Sequence, residues 1–323
     1  VGIKDISVIV IGGLNVDIVA RGAEKLLKSG ELTYAKELHF GPGGKSRNIA
    51  QMIAELSGKK NVAMIGKTAQ DPFGLWKLPY DSLKNVGVNT DYIDIVSSKD
   101  SDQFPGIALI PVDTEGNSQI YVIPGVNNSF IPQDIDRAEE LFLAVAKNNG
   151  ILVLTLELPY ATAIYAVKKA NSLGIKVLFD PGGIDEKKEY DELLAQKIFL
   201  IKPNEHEAKI LTGIEIKDFE TAKQAGEKLL DKGIENVFIT CGAEGGYFFS
   251  KSVQKYIPTH NVQDDTVMDE TGCGDETMAA IADSVSEGND IVTAAGIGIV
   301  AGTLKFYKEG IDPITKQELN KYL

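Results

Sequence analysis

The chain has 323 residues, 43% hydrophobic and 24% charged, enough for one large domain or two ordinary ones with a sizeable core. A formal net charge of −13 repels phosphate backbones and anionic membranes, so neither nucleic acid nor a membrane is an expected partner. Two cysteines outside any CxxC pair, no apolar run of about 18 residues and no basic-then-apolar leader pattern point to a cytoplasmic protein with two buried thiols.

Short apolar runs alternate with helical patterns, the signature of βα units and a parallel sheet. "ISVIVIGG" (6–13) reads as a buried strand ending in glycines, and "SRNIAQMIAELSG" (46–58) puts Ile49, Ile53 and Leu56 on one helical face. Strands follow at 61–68, 150–157, 175–183, 197–204 and 236–242. Helices are predicted over 160–173, from 205, over 219–233, and over 275–287 and 290–306. Two segments break the rhythm. "GIALIPVDTEGNSQIYVI" (106–123) has two extended runs around a turn, a β-hairpin signal, and 21–40 is strand-like without a helix. The expected fold is therefore a single domain over 1–323: three-layer α/β/α, with a mainly parallel central sheet. A small β-lid projects from it, built from about 13–40 and 100–125. Exposed lid strands have unpaired edges, so Ile107, Leu109, Ile120 and Val122 are expected to support a homodimer through the lid.

The chemistry-bearing motifs sit where strands hand over to helices. In "MDETGCGDETMAA" (268–280), Gly272, Cys273 and Gly274 stand at a helix entrance, where free N–H groups and the helix dipole favour an anion. Asp275 beside that anion could remove a proton from an attacking hydroxyl, and equally could be an ordinary acid in a first helical turn. "GPGGKSRNIA" (41–50) is not a Walker loop, because His39 stands where glycine is needed. It remains a glycine turn feeding a helix, with Lys45 and Asn48 able to reach a ligand. "IGGLNVD" (11–17) lacks the dinucleotide fingerprint, yet Asn15 and Asp17 lie just past a strand's carboxyl end, suited to hydroxyls or simply to a solvated turn. "KPNEHEA" (202–208) offers Asn204 and Glu207 either as outer ligands around hydrated Mg²⁺ or as a capping box. "ITCGAEGGYF" (239–248) places Thr240, Gly242 and Gly245 in a glycine-rich loop between strands, a nucleotide pocket or a plain turn. His39, His206 and His260 read as surface residues.

The joint order of these motifs resembles the ribokinase family, also called the phosphofructokinase-B family, over essentially the whole chain. Gly43, Gly44 and Asn48 match its first signature, and "DETGCGD" (269–275) its second. The resemblance implies an ATP-dependent sugar or nucleoside kinase. Asp275 would be the catalytic base, Gly272, Cys273 and Gly274 the anion hole, and Asn15, Asp17, Gly43, Gly44, Lys45 and Asn48 the substrate contacts. It implies that Asn204, Thr240, Gly242 and Gly245 serve ATP, that Asn204 and Glu207 serve Mg²⁺, and that a monovalent cation such as K⁺ sits near Asp269 and the 308–310 loop. The run 42–50 is more similar to pseudouridine-kinase-like and other nucleoside or sugar kinases than to ribokinase itself. Glu276 departs from the family pattern and would repel a triphosphate unless it faces away. The absence of arginine from the hairpin speaks against a phosphosugar acceptor. The competing reading is a non-catalytic sensor of sugar or nucleotide with the same fold.

Overall fold

The computed structural model describes residues 2–58, 61–97, 103–262 and 268–323. In chain order the elements are β1 (Val8–Ile11), β2 (Asn15–Ala23), β3 (Glu37–Gly43), α1 (Lys45–Ser57), β4 (Val62–Ala69), α2 (Lys77–Asn85), β5 (Asn89–Val96), β6 (Gly106–Asp113) and β7 (Tyr121–Ile123). There follow α3 (Pro132–Asp136), α4 (Glu139–Lys147), β8 (Ile151–Leu154), α5 (Tyr160–Ser172), β9 (Lys176–Phe179), α6 (Asp191–Leu194), β10 (Leu200–Ile201), α7 (Glu205–Thr212) and α8 (Phe219–Leu230). The chain closes with β11 (Asn236–Thr240), β12 (Gly246–Ser250), β13 (Gln254–Ile257), α9 (Cys273–Ser286), α10 (Ile291–Lys305) and α11 (Lys316–Leu319).

The main sheet has nine strands in the order β13-β12-β11-β10-β9-β8-β1-β4-β5. It is parallel from β5 to β11, and antiparallel pairing joins only β12 to β11 and β13 to β12. All four residues of β1 are buried because both faces of the sheet are covered. Ile9 and Ile11 pack on one side with α4, α5 and α8, while Val8 and Val10 pack on the other with α1, α9 and α10. A strand buried on both faces reads as a continuous apolar run rather than an alternation, as "VIVI" does.

The lid is a second sheet in the order β3-β2-β6-β7. Its hairpin signal is correct for β6 and β7, which pair antiparallel, but β2 and β6 run parallel in its centre. Residues 100–102 of the expected lid lie outside the described residues. The lid exposes much apolar surface: Leu109, Ile120 and Val122 are exposed, whereas Ile107 is half-buried. The two thiols differ from expectation. Cys241 is buried, but Cys273 is only half-buried, because the first residue of α9 stands at the mouth of the site. Among the described residues no helix is long and apolar enough to cross a membrane.

Candidate active site

β1 lies between β4 and β8, so the chain leaves its carboxyl end in opposite directions on the two sides, the point at which open α/β sheets bind ligands. Close packing there rests on glycine. A Cβ at Gly12 would stand 2.0 Å from Ser46 Oγ, and Ser46 Oγ donates to Ile11 O at 3.1 Å and meets Thr155 Oγ1 at 2.7 Å. The N-cap of α1 is Gly44, which has no side chain to cap with and takes φ +96. Glu157, past the end of β8, supplies the cap by accepting from Lys45 N at 2.6 Å. Burial pushes Glu157 up to about 7, against the pull of Lys45.

The same packing brings α1 beside α9. Asn48 Nδ2 donates to Asp275 Oδ2 at 2.8 Å, and Lys45 Nζ lies 3.8 Å from Asp275 Oδ1. The Asp275 carboxylate, with Asp180, Glu157 and Glu207 behind it, holds the Lys45 ammonium well above the ordinary lysine range. Asn48 is itself fixed from behind: its Oδ1 accepts from Arg47 Nη2. Arg47 is wholly buried and also donates to Gln51, to Ser82 Oγ at 3.2 Å and to Pro42 O at 3.3 Å. Burial lowers its pKa to about 10, while the charges of Asp17, Asp275 and Glu157 oppose that loss.

Facing Asp275 across the pocket is Asp17, whose carboxyl burial pushes up to about 6. Arg47 lowers that value and Asp275 raises it. Asn15, at the start of β2, is buried, and its Oδ1 accepts from Asn127 Nδ2 at 2.9 Å. Gly43 has no room for a side chain, since a Cβ there would fall 1.9 Å from Asp17 Oδ1. All six residues assigned to the acceptor thus converge with Asp275 under the root of the lid.

Gly272 caps α9 from just outside it, taking φ +77 as N-cap. Cys273 N–H is turned back to Glu270 O at 3.3 Å. Gly274 and Asp275 therefore remain as the N–H groups that lack an acceptor one turn earlier in the helix. Lys202 stands beside them: its Nζ is 3.8 Å from where a Cβ of Gly274 would be, and it pairs with Asp180 Oδ2 at 2.8 Å in a buried bridge. Glu276 faces away from this anion site. It is wholly buried, its Oε2 accepts from Ile314 N at 3.3 Å, and burial pushes it up to about 8.

Asn204 and Glu207 form a reciprocal capping box at the start of α7, with Glu207 N to Asn204 Oδ1 at 2.8 Å and Asn204 N to Glu207 Oε2 at 2.9 Å. The cap does not remove them from the site. Glu207 is close enough to Asp180, Lys202 and Lys45 for their charges to act on it, and burial is the main cause of its raised pKa. Among the described residues, no three His, Cys, Asp or Glu side chains are gathered closely enough to ligate a metal directly. Asn204 is bridged to Thr240, which brings two of the four residues assigned to nucleotide together. Gly242 takes φ +49 in the turn after β11. Gly245 has a packing reason of its own: a Cβ there would lie 2.1 Å from Ile257 O.

The sequence reading missed Arg47, Asn127, Thr155, Glu157, Asp180 and Lys202. Thr155, Glu157 and Asp180 carry the signal that picked out Asn15 and Asp17, a polar residue just past a parallel strand. Arg47 and Asn127 carry no such signal, because only their burial marks them.

A helix entrance with free N–H groups beside two lysines, a carboxylate next to it and a cluster of buried polar side chains beneath a small sheet suit a small-molecule phosphotransferase of α/β fold. The chain belongs to the pfkB family of carbohydrate kinases, whose family model matches residues 5–316. It is 29% identical to a deoxyribokinase of Salmonella typhi over 316 residues, covering 97% of each chain. It is 30% identical to a ribokinase of Staphylococcus aureus, covering 94% of each. The structure of Arabidopsis thaliana ribokinase complexed with ribose and ATP superposes with a TM-score of 0.83 at 27% identity, over 97% of each chain.

Proposed function

We propose that the protein transfers the γ-phosphoryl group of ATP to a hydroxyl of a free pentose, ribose or deoxyribose, with Asp275 as general base. The observation that carries this reading is the position of Asp275. It is the third residue of α9, held by Asn48 at 2.8 Å, with Lys45 at 3.8 Å and the acidic Asp17 across the pocket. A hydroxyl bound between Asp17 and Asp275 would give its proton to Asp275 as its oxygen attacks the terminal phosphorus. Charge spreading over the phosphoryl oxygens would meet the N–H groups of Gly274 and Asp275 and the ammonium groups of Lys45 and Lys202. Lysine carries this duty because arginine is scarce and Arg47 is consumed in holding Asn48. The ATP phosphates would approach from the side of Asn204, Thr240 and Gly242.

Glu207 and Asp180 supply hard oxygen donors that suit a Mg²⁺ ion held through its waters. When bound, the ion neutralises phosphate charge. The free-sugar acceptor is supported by the names of the relatives and by Arg47, which is buried behind Asn48 and so is not placed to clamp a second phosphate. It takes the sugar side of the nucleoside-or-sugar resemblance of the 42–50 run.

The test is ADP release with a panel of ribose, deoxyribose, other pentoses and nucleosides, using wild type and Asp275→Asn. We expect turnover on a pentose, lost by ~10²–10⁴-fold in the variant while ATP binding persists. A variant with wild-type turnover would remove Asp275 from its role. Turnover confined to nucleosides would overturn the pentose assignment.

A further inference from the structure

α10 is pulled tightly against α9 by two glycines. A Cβ at Gly302 would lie 2.2 Å from Thr277 Oγ1, and one at Gly298 would lie 2.7 Å from Ile281 Cγ1. The next turn of α10 carries Lys305. A lysine in the last turn of a helix ordinarily extends its stem and keeps its charge in water, but Lys305 is wholly buried. Its Nζ donates to Lys308 O at 3.0 Å, and its Cε lies 3.5 Å from where a Cβ of Gly272 would stand. The groups facing the ammonium are the Cys273 thiol and the carboxylates of Asp269, Glu276 and Asp312. Asp269 in turn accepts from Thr271 N at 2.8 Å and Gly310 N at 2.7 Å, and its own N–H donates to Phe306 O at 2.9 Å. The Lys305 ammonium thus holds Lys308 O while Asp269 bonds Gly310 and Phe306, and together these contacts fasten the 306–310 loop beside the entrance of α9.

This is the neighbourhood where the family resemblance places a monovalent cation, and the residues present do not fit one. The carbonyl of Lys308 and the carboxylate of Asp269 already have a positive charge attached covalently to α10. A second cation beside that ammonium would meet like-charge repulsion in a buried setting. We propose that Lys305 is a tethered replacement for the monovalent cation, a positioning residue that holds Gly272–Gly274 in its anion-binding shape and frees the protein from any need for K⁺. It acts through the backbone and touches neither ATP nor the acceptor. The inference rests on the kinase reading of the site.

The test measures ATP affinity by calorimetry with Mg²⁺ present, at matched ionic strength, in buffer whose only monovalent cation is tetramethylammonium and again with potassium chloride. Wild type is expected to bind ATP equally in both. Lys305→Met, which keeps the stem and removes the charge, is expected to lose affinity by about tenfold or more without K⁺, the scale of a lost hydrogen bond to a buried charge. Added K⁺ should restore that loss, which repair of packing alone could not do. Wild type that binds ATP only when K⁺ is present would overturn the inference while leaving the kinase reading intact. So would a folded Lys305→Met protein with unchanged affinity in tetramethylammonium. Wild type that binds no ATP in either buffer would overturn both. The wild-type comparison stands even if the variant fails to fold.

Discussion

Asn48 and Asp275 are 227 residues apart in the chain and joined by a 2.8 Å hydrogen bond from Nδ2 to Oδ2. Asn48 Oδ1 is occupied by Arg47, so the amide can present only its NH₂ to the carboxylate. The bond orients the carboxylate proposed as the base.

Asn48→Ala should therefore leave the base present but unheld. We expect kcat to fall by about tenfold or more, from one lost hydrogen bond to a charged group and a misplaced base. The loss should be smaller than that of Asp275→Asn. Steady-state kinetics with the pentose check this, and kcat unchanged in Asn48→Ala would show that Asp275 is held by other means.

Gly43→Ala tests the acceptor pocket, because the new methyl would fall 1.9 Å from Asp17 Oδ1 and must push the carboxylate aside. The expected result is a rise in KM for the pentose with ATP affinity unchanged. An equal loss of both affinities would place Gly43 in the nucleotide half of the site. Asp17 should also set an acid limb: with its pKa raised to about 6, kcat/KM should fall as pH drops below that value, and Asp17→Asn should erase the limb.

Glu276 makes a stability prediction whose sign follows from its burial. Its folded pKa is raised from 4.5 to about 8, so between those values the native state holds a proton that the unfolded chain releases. Stability is then lost as pH rises through that window. Glu276→Gln keeps an acceptor for Ile314 N and has nothing to ionise. Thermal melts from pH 5 to 9 should fall less steeply for the variant, which should be the more stable protein at the alkaline end. Parallel curves for the two proteins would mean that Glu276 stays charged in the fold.

The lid exposes Ile120 at 62% and Val122 at 55% of their surface, the first just before β7 and the second within it. An apolar sheet face of this kind ordinarily finds a partner, and the expected partner is a second copy of the chain. Sedimentation should show a dimer, and Ile120→Lys with Val122→Lys should raise its dissociation constant by about tenfold or more. A wild type that stays monomeric at high concentration would reject this.

Much of the fold was legible because it is local. The "VIVI" run, the glycines closing each strand and the 3.6-residue apolar faces of α1 and α8 are properties of short segments, and they specify a parallel sheet with helices on both faces. The meeting of Asp275 with Asn48 was foreshadowed by two glycine turns that each feed a helix, and Asn15 by its place just past the end of β1. The unmarked helices α2 to α4 were not, since α3 and α4 are short and split by a brief turn.

What only the tertiary structure decided is charge. Nothing in the string of residues marks Lys305 and Glu276 as wholly buried charges. Both are wholly buried because α10 closes on α9 through glycine and the 306–314 loop folds back over the helix entrance. Desolvation depends on what surrounds a group from every direction, and those surroundings come from distant segments. The sequence by itself determined which segments would meet at the carboxyl edge of the sheet. Their packing determined which carboxylate is desolvated, which ammonium is trapped and which amide holds Asp275.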